Sequence, residues 1–260
     1  MGKLPDKQAP VVAIVGSRKP SAYGKEVTEK LAADLAKAGC VIVSGLALGV
    51  DSIAQKAALE AGGVVIGVVA DELPSISPRT NHGLAMDIIK HGGAIISEWM
   101  KGDGKVVGRW SFLERNRLVS GLADAIVITE AAERSGTLNT ATHALDQGRD
   151  LFVVPGNITS PLSAGCNSLL KQGAFAVTEA ADILQIIAPE QLKSSGQNKL
   201  PLGDSPEEDI IIKLINSGVR AGDELQKQSG LSAAQFSTAL TMLEINGVVK
   251  ALGANNWTLR

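Results

Sequence analysis

Residues 11–43 read VVAIVGSRKPSAYGKEVTEKLAADLAKAGCVIV, and this stretch decides the fold. Val11–Val15 is an apolar run without polar alternation, the pattern of a strand buried on both faces. Gly16-Ser17-Arg18-Lys19 interrupts it, and Val27, Leu31, Leu35 and Ala38 then recur at helical spacing. Val41–Val43 opens a second run of the first kind. Strand, turn, helix and strand make the repeating unit of a parallel sheet. Working outward, further runs lie at Val64–Val69, Ala94–Ile96, Ala125–Ile128 and Leu151–Val154. Between them, Ile53, Ala57 and Leu59, then Leu138, Ala141, Ala144 and Leu145, keep helical spacing. This alternation predicts a doubly wound, Rossmann-like α/β domain with a mostly parallel sheet.

The pattern changes near Ala188. Residues 188–205 (APEQLKSSGQNKLPLGDS) mix Pro, Gly, Ser and charge without periodicity, as a linker does. The expected division is 1–188, a linker over 189–204, and a small unit over 205–260. In that unit Glu207–Ile215 and Ala221–Gln228 read as helices, and Ser232 as the N-cap of a third reaching about Glu244. Gly230 and Gly247 break the pattern, and Val248–Ala251 with Trp257–Leu259 read as a hairpin. Three helices closed by a hairpin form a winged-helix pattern, whose usual role is DNA reading.

The 260 residues are 45% hydrophobic and 20% charged, which suits one sizeable core plus a satellite domain and excludes low-complexity disorder. No stretch approaches the roughly 20 apolar residues of a membrane span, and the apolar run at the start is too short for a secretory signal. Two cysteines, Cys40 and Cys166, make neither a disulfide framework nor a zinc site, so a reducing, cytoplasmic setting is expected. His82, His91 and His143 lack metal-ligand spacing, and no metal or cofactor is expected. Neither G-x-x-x-x-G-K-S/T nor G-x-G-x-x-G occurs, and no nucleophile–base pairing is evident, so nothing demands an enzyme. The net charge of −2 argues against coating nucleic acid by bulk charge. It is unevenly placed: residues 1–203 carry 20 basic and 20 acidic side chains, residues 204–260 carry 5 and 7.

Ligands of open α/β sheets bind at the carboxyl ends of the strands, and four loops there stand out. Gly16-Ser17-Arg18-Lys19 offers small residues, a helix N-terminus and a guanidinium to a phosphate, or is a tight turn with a solvated arginine. Ser44–Asp51 is glycine-rich, and Asp51 is expected to cap the next helix in preference to touching a ligand. Ser135-Gly136-Thr137 offers hydroxyls and free N–H groups, or simply an N-cap. Lys101–Arg117 (KGDGKVVGRWSFLERNR) packs five cations against two acids and holds Trp110 and Phe112. Cations interleaved with aromatics fit single-stranded nucleic acid, the charges tracking phosphates and the rings stacking on bases. Phe112 is assigned to that role, and Trp110 to the core beneath the loop.

These motifs together resemble the DNA-processing protein A family, also called DprA or Smf, of bacterial natural transformation. The resemblance runs from about Val12 to Ile187 through VAIVGSRKPSAYG, SGLALGVD, Ile96–Glu98, FLERNRLVSGLAD, EAAERSGTLNTATHALDQGRDLFVVPG and AGCNSLLKQGA. It implies a homodimer that binds single-stranded DNA, protects incoming strands and helps load the RecA recombinase, with no enzymatic activity. By resemblance, Gly16, Ser17 and Arg18 form the G-S/T-R motif, Arg109 is the basic residue before the base-stacking Phe112, and Arg115, Asn116 and Arg117 form R-N-R. Ser135, Gly136 and Thr137 are the family's S-G-S/T turn. Gly165, Cys166 and Asn167 are its G-C-N turn, followed by Lys171. Three departures stand out: Gln55 replaces a typical His, Pro74 and Ser77 replace Asp and Tyr in the 72–81 loop, and strand one begins at Val11 without the common N-terminal helical domain.

Two other readings compete. One is a nucleotide-binding or phosphoribohydrolase-like enzyme, whose relatives carry P-G-G-x-G-T-x-x-E. Here Leu138, Asn139 and Thr140 follow Thr137, and Glu130 would have to substitute for the missing acid. The other is a ligand sensor whose winged helix reads duplex DNA. The acidic second unit, with no Lys or Arg in Ser232–Glu244, argues instead for an interaction module. Ile183, Leu184, Ile186 and Ile187 serve either a dimer interface or the core.

Overall fold

The computed structural model describes residues 1–5, 9–104, 106–191, 203, 205–253 and 255–259, with the Arg109 and Leu252 side chains outside that description. The chain divides into two compact units, Met1–Ser195 and Gly196–Arg260. Residues 189–191 are helical, and apart from these and Gly203 the segment read as a linker lies outside the described residues.

The first unit is built on one sheet of β1 (Val11–Val15), β2 (Val41–Ser44), β3 (Val65–Val68), β4 (Ala94–Ile96), β5 (Ala125–Ile128), β6 (Asp150–Val153) and β7 (Phe175–Ala176). The spatial order is β4-β3-β2-β1-β5-β6-β7 and every pairing is parallel. The helices are α1 (Ala22–Lys37), α2 (Val50–Glu60), α3 (His82–Lys90), α4 (Arg109–Gly121), α5 (Thr137–Asp146), α6 (Ala164–Lys171) and α7 (Ala180–Ile187). The chain steps outward from β1 to β4, then returns past its start to β5, β6 and β7. β1 and β5, paired through Val12 and Ala125, therefore flank the point where connections leave in opposite directions. A crevice opens there at the carboxyl ends of the strands.

Residues alternate between two apolar layers along each strand, as the strand period of two requires. Val12, Ile14 and Ile42 pack with Leu31 and Leu35 of α1, Ala54 of α2, Ile88 of α3 and Ile183 of α7. Ala13, Val15 and Ile126 pack on the other face with Val119 of α4, Ala141 of α5 and Leu169 of α6. The helical faces differ in detail from the spacing analysis. On α2 the small residues Ala54, Ala57 and Ala58 turn inward, leaving Ile53 and Leu59 half-buried where α2 lies beside α1. Leu145, placed on the inner face of α5, is exposed. Ile183 and Leu184 belong to the core, whereas Ile186 is exposed. No helix among the described residues is long and apolar enough to cross a membrane.

The second unit has α8 (Pro206–Asn216), α9 (Gly222–Ser229), α10 (Ala233–Ile245) and an antiparallel hairpin of β8 (Val249–Gly253) and β9 (Asn256–Leu259). Its order and hairpin are those of a winged helix. Ile211, Ile215, Leu225, Phe236 and Leu243 form its core. Ser232 caps α10 reciprocally with Gln235, and Gly230 ends α9 in the left-handed conformation at φ 68°.

Candidate functional site

The crevice at the switch point widens into a cavity of about 780 Å³. The loop after β1, the start of α2, helix α4 and the loop from β5 into α5 surround it. The loop after β1 is held by backbone. Ser17 N–H donates to the Glu130 carbonyl at 2.8 Å, and Val50 N–H donates to the Ser17 carbonyl at 3.0 Å. Gly49, at φ 81°, lies so close to Ser17 and Arg18 that a Cβ would collide with their backbone. Arg18 and Lys19 extend from this fixed base into solvent. On the opposite wall the Thr137 hydroxyl donates to the Gly16 carbonyl at 3.0 Å, joining the two loops, while Ser135 Oγ accepts from Thr137 N–H at 3.2 Å.

The floor differs from the sequence expectation. Asp51 does not cap α2: the N-cap is Gly49, which makes no side-chain cap bond. The buried Asp51 carboxylate instead accepts from Gly45 N–H at 3.0 Å and straps the β2–α2 loop. Burial pushes its carboxyl above the usual range, and the Arg115 guanidinium facing it pulls in the opposite direction. Arg115, assigned by resemblance to the strand-binding R-N-R motif, is only 5% exposed. Its Nη1 donates to the Gly45 and Val68 carbonyls, and its Nε has no hydrogen-bond partner among the described residues. A Cβ on Gly45 would occupy the guanidinium's place, so any side chain there would displace it. The motif's first arginine is thus committed to joining α4 to the ends of β2 and β3.

The other expected residues divide among several places. Arg18, Phe112, Asn116, Ser135, Gly136 and Thr137 meet at the cavity together with Gly16 and Ser17. The Arg18 guanidinium carbon lies 5.5 Å from the Phe112 ring centre. Asn116 donates through Nδ2 to Asn139 Oδ1 at 3.3 Å across the wall. Arg109 opens α4, and its side chain lies outside the described residues. Arg117 pairs with Glu98 and does not line the cavity. Gly165, Asn167 and Lys171 do not line it either. Gly165 abuts the β5–α5 loop, where a Cβ would sit 2.6 Å from the Ala132 carbonyl. Asn167 Nδ2 donates to the Gly156 carbonyl at 3.1 Å, and Lys171 is exposed in the last turn of α6. Trp110 is not a core residue: it is 76% exposed, because α4 turns Ser111 and Arg115 inward.

Arg134 and Asn139 also line the cavity, and neither was expected among its binding residues. Arg134 immediately precedes Ser135, so reading that loop as a whole would have found it. It makes no ion pair among the described residues. Asp51 is the only carboxylate lining the cavity among them. Glu130, the substitute acid of the phosphoribohydrolase reading, instead accepts from Ser21 N–H at 2.8 Å and Ser21 Oγ–H at 2.7 Å. It thereby anchors the residue that caps α1. In the altered 72–81 loop, Asn81 Nδ2 donates to the Leu46 carbonyl at 2.8 Å and braces the β2–α2 turn. Gln55 is buried and donates to the Ser44 and Ile66 carbonyls. No group of His, Cys, Asp and Glu that could hold a metal occurs among the described residues.

Comparisons with known proteins point one way. Residues 1–188 match the family described as DNA recombination-mediator protein A, and residues 196–255 match the DprA winged helix domain. Protein Smf of Escherichia coli (strain K12) is 36% identical over 263 residues, covering 96% of this chain and 68% of its own. DNA processing protein DprA of Bacillus subtilis (strain 168) is 41% identical over 174 residues, covering 67% of this chain and 58% of its own. The chain thus spans between 58% and 68% of the length of these two relatives. Among solved structures, DNA processing protein A of Helicobacter pylori, described for its single-stranded DNA binding mode, has a TM-score of 0.63 and 36% identity. That match covers 72% of this chain and 86% of the other.

Proposed function

The chain belongs to the DNA recombination-mediator protein A family, and from that premise we propose that it binds single-stranded DNA in the cavity at the β1–β5 switch point. The observation that carries this reading is the Arg18 guanidinium over the Phe112 ring, at the mouth of a cavity whose lining carboxylate is already held by Gly45 N–H. A cation and a ring side by side serve the phosphate and the base of one nucleotide. Gly16, Ser17, Ser135, Gly136 and Thr137 supply N–H groups and hydroxyls for the backbone of the strand. Arg134 adds a second cation with no ion pair among the described residues, Asn139 adds an amide, and Arg109 is kept in the binding set as the residue that opens α4. Arg115 holds the floor without touching the strand. Arg117, Gly165, Asn167 and Lys171 serve only a strand long enough to run past the cavity. The bound strand is protected and handed to a RecA recombinase by a homodimer in the cytoplasm, during natural transformation or a related recombination task.

The test is fluorescence anisotropy of labelled oligo-dT and a matched duplex across a salt series. Single strand binds more tightly, with a salt slope of a few phosphates. Equal affinity for both, or release of a free base from a nucleoside monophosphate, overturns the reading.

A further inference from the structure

Arg18, from the loop after β1, and Phe112, from α4, meet at the cavity, and the guanidinium already lies over the ring a base would use. We propose that the pair is a latch opened by insertion: an unpaired base enters between the guanidinium and the ring, so that Arg18 recognises the plane of the base and not only a phosphate. This rests on the single-stranded-DNA reading of the cavity and specifies which part of the strand Arg18 touches.

The two jaws differ in mobility. Phe112 is half-buried on α4, and Arg115, three residues along the same helix, ties that helix to the Gly45 and Val68 carbonyls. The ring is the fixed jaw. Arg18 has a fixed backbone, through the Ser17 hydrogen bonds and the close approach of Gly49, but an exposed side chain. It makes no ion pair among the described residues, and the ring is the partner recorded for its guanidinium. A cation resting on a ring near solvent is weakly tethered. It swings aside without breaking a charge pair. At 5.5 Å the gap is too narrow for a base. Insertion between two planes needs about 7 Å, twice the roughly 3.4 Å rise of stacked bases, so the guanidinium moves aside to admit one. That is within the reach of a side-chain torsion. A base inside a duplex has both faces covered by its neighbours and cannot enter, which makes the latch a selector for single strand.

Anisotropy titrations of the full chain with oligo-dT and an abasic oligonucleotide of equal length test the latch. The wild-type protein binds oligo-dT at least about fivefold more tightly, the low end of base–aromatic stacking. Arg18→Lys keeps the charge and removes the plane, and Phe112→Leu keeps the bulk and removes the ring. Each removes most of that preference, read as the ratio of oligo-dT to abasic affinity, and the double variant loses no more of it than either single one. If Arg18→Lys keeps the preference that Phe112→Leu loses, or the losses add, the latch is overturned and Arg18 is a phosphate contact only. A wild-type protein indifferent to the two oligonucleotides also overturns it. If neither substitution changes affinity for oligo-dT, the cavity itself is not the binding site, and the underlying reading falls with the latch.

Discussion

Helices α4 and α10 are the same length, 13 residues each, and carry opposite surfaces. α4 holds Arg109, Arg115 and Arg117 with Trp110 and Phe112, and borders the cavity. α10 is the third helix of the winged unit, the element that usually reads a DNA groove. It holds no Lys or Arg, and Met242 and Ile245 are exposed on it. The contrast teaches that cations interleaved with aromatics gather on the helix bordering the cavity, and are lacking from the helix that reads a groove in other winged helices. Even within α4 the three arginines have separate fates. One is buried structure, one is paired with Glu98, and one opens the helix.

The largest effect should come from breaking α4 at its buried arginine. Arg115→Met strands Asp51 and two carbonyls in the floor, and should cost about 3–5 kcal/mol of stability by urea unfolding. Adding Asp51→Asn should recover part of it. A loss below about 1 kcal/mol would mean that the arginine is not the tie between α4 and the strands. Next, Arg134→Ala should leave the unfolding curve in place, weaken oligo-dT binding and lower its salt slope by about one. An unchanged slope would remove Arg134 from the site. Smaller still, ending the chain at Ser195 should change duplex affinity by no more than about twofold, because α10 brings no cations to neutralise phosphate. A collapse of duplex binding would give α10 the role its sequence denies. Least of all, Ile245→Lys on the exposed end of α10 should shift stability by no more than about 0.5 kcal/mol. A larger loss would show that this face is covered.

The parallel sheet could be read from the valine and isoleucine runs because a strand buried on both faces leaves no polar residues to confuse the pattern. Its order could not be read that way, since Val12 meets Ala125 across more than a hundred residues of chain. The cavity was legible as chemistry and less so as geometry. Arg18, Phe112 and the Ser135–Thr137 turn were found because glycine, hydroxyl and cation cluster at strand ends. The burial of Arg115 was not legible, because neither charge nor a motif reports it. Its acceptor on Gly45 lies 70 residues away in sequence. Trp110 was misassigned for the opposite reason, an aromatic assumed to need cover. Both positions depend on the phase of α4, which composition does not set. Three residues along a helix share a side and two do not, so Phe112 groups with Arg115 and leaves Trp110 facing away.

Gly45 and Gly165 set limits on how this cavity can change over generations of substitution. Neither lines the cavity, yet a single methyl group at Gly45 would displace the guanidinium beneath the floor, and one at Gly165 would push the loop that carries Arg134 and Ser135. A lineage could conserve every residue facing the strand and still lose the site through either position. Tolerance to mutation should therefore be low at both places, as at Gly49, although none of them has a side chain to inspect, and a saturation library scored for single-strand binding would record them as gaps.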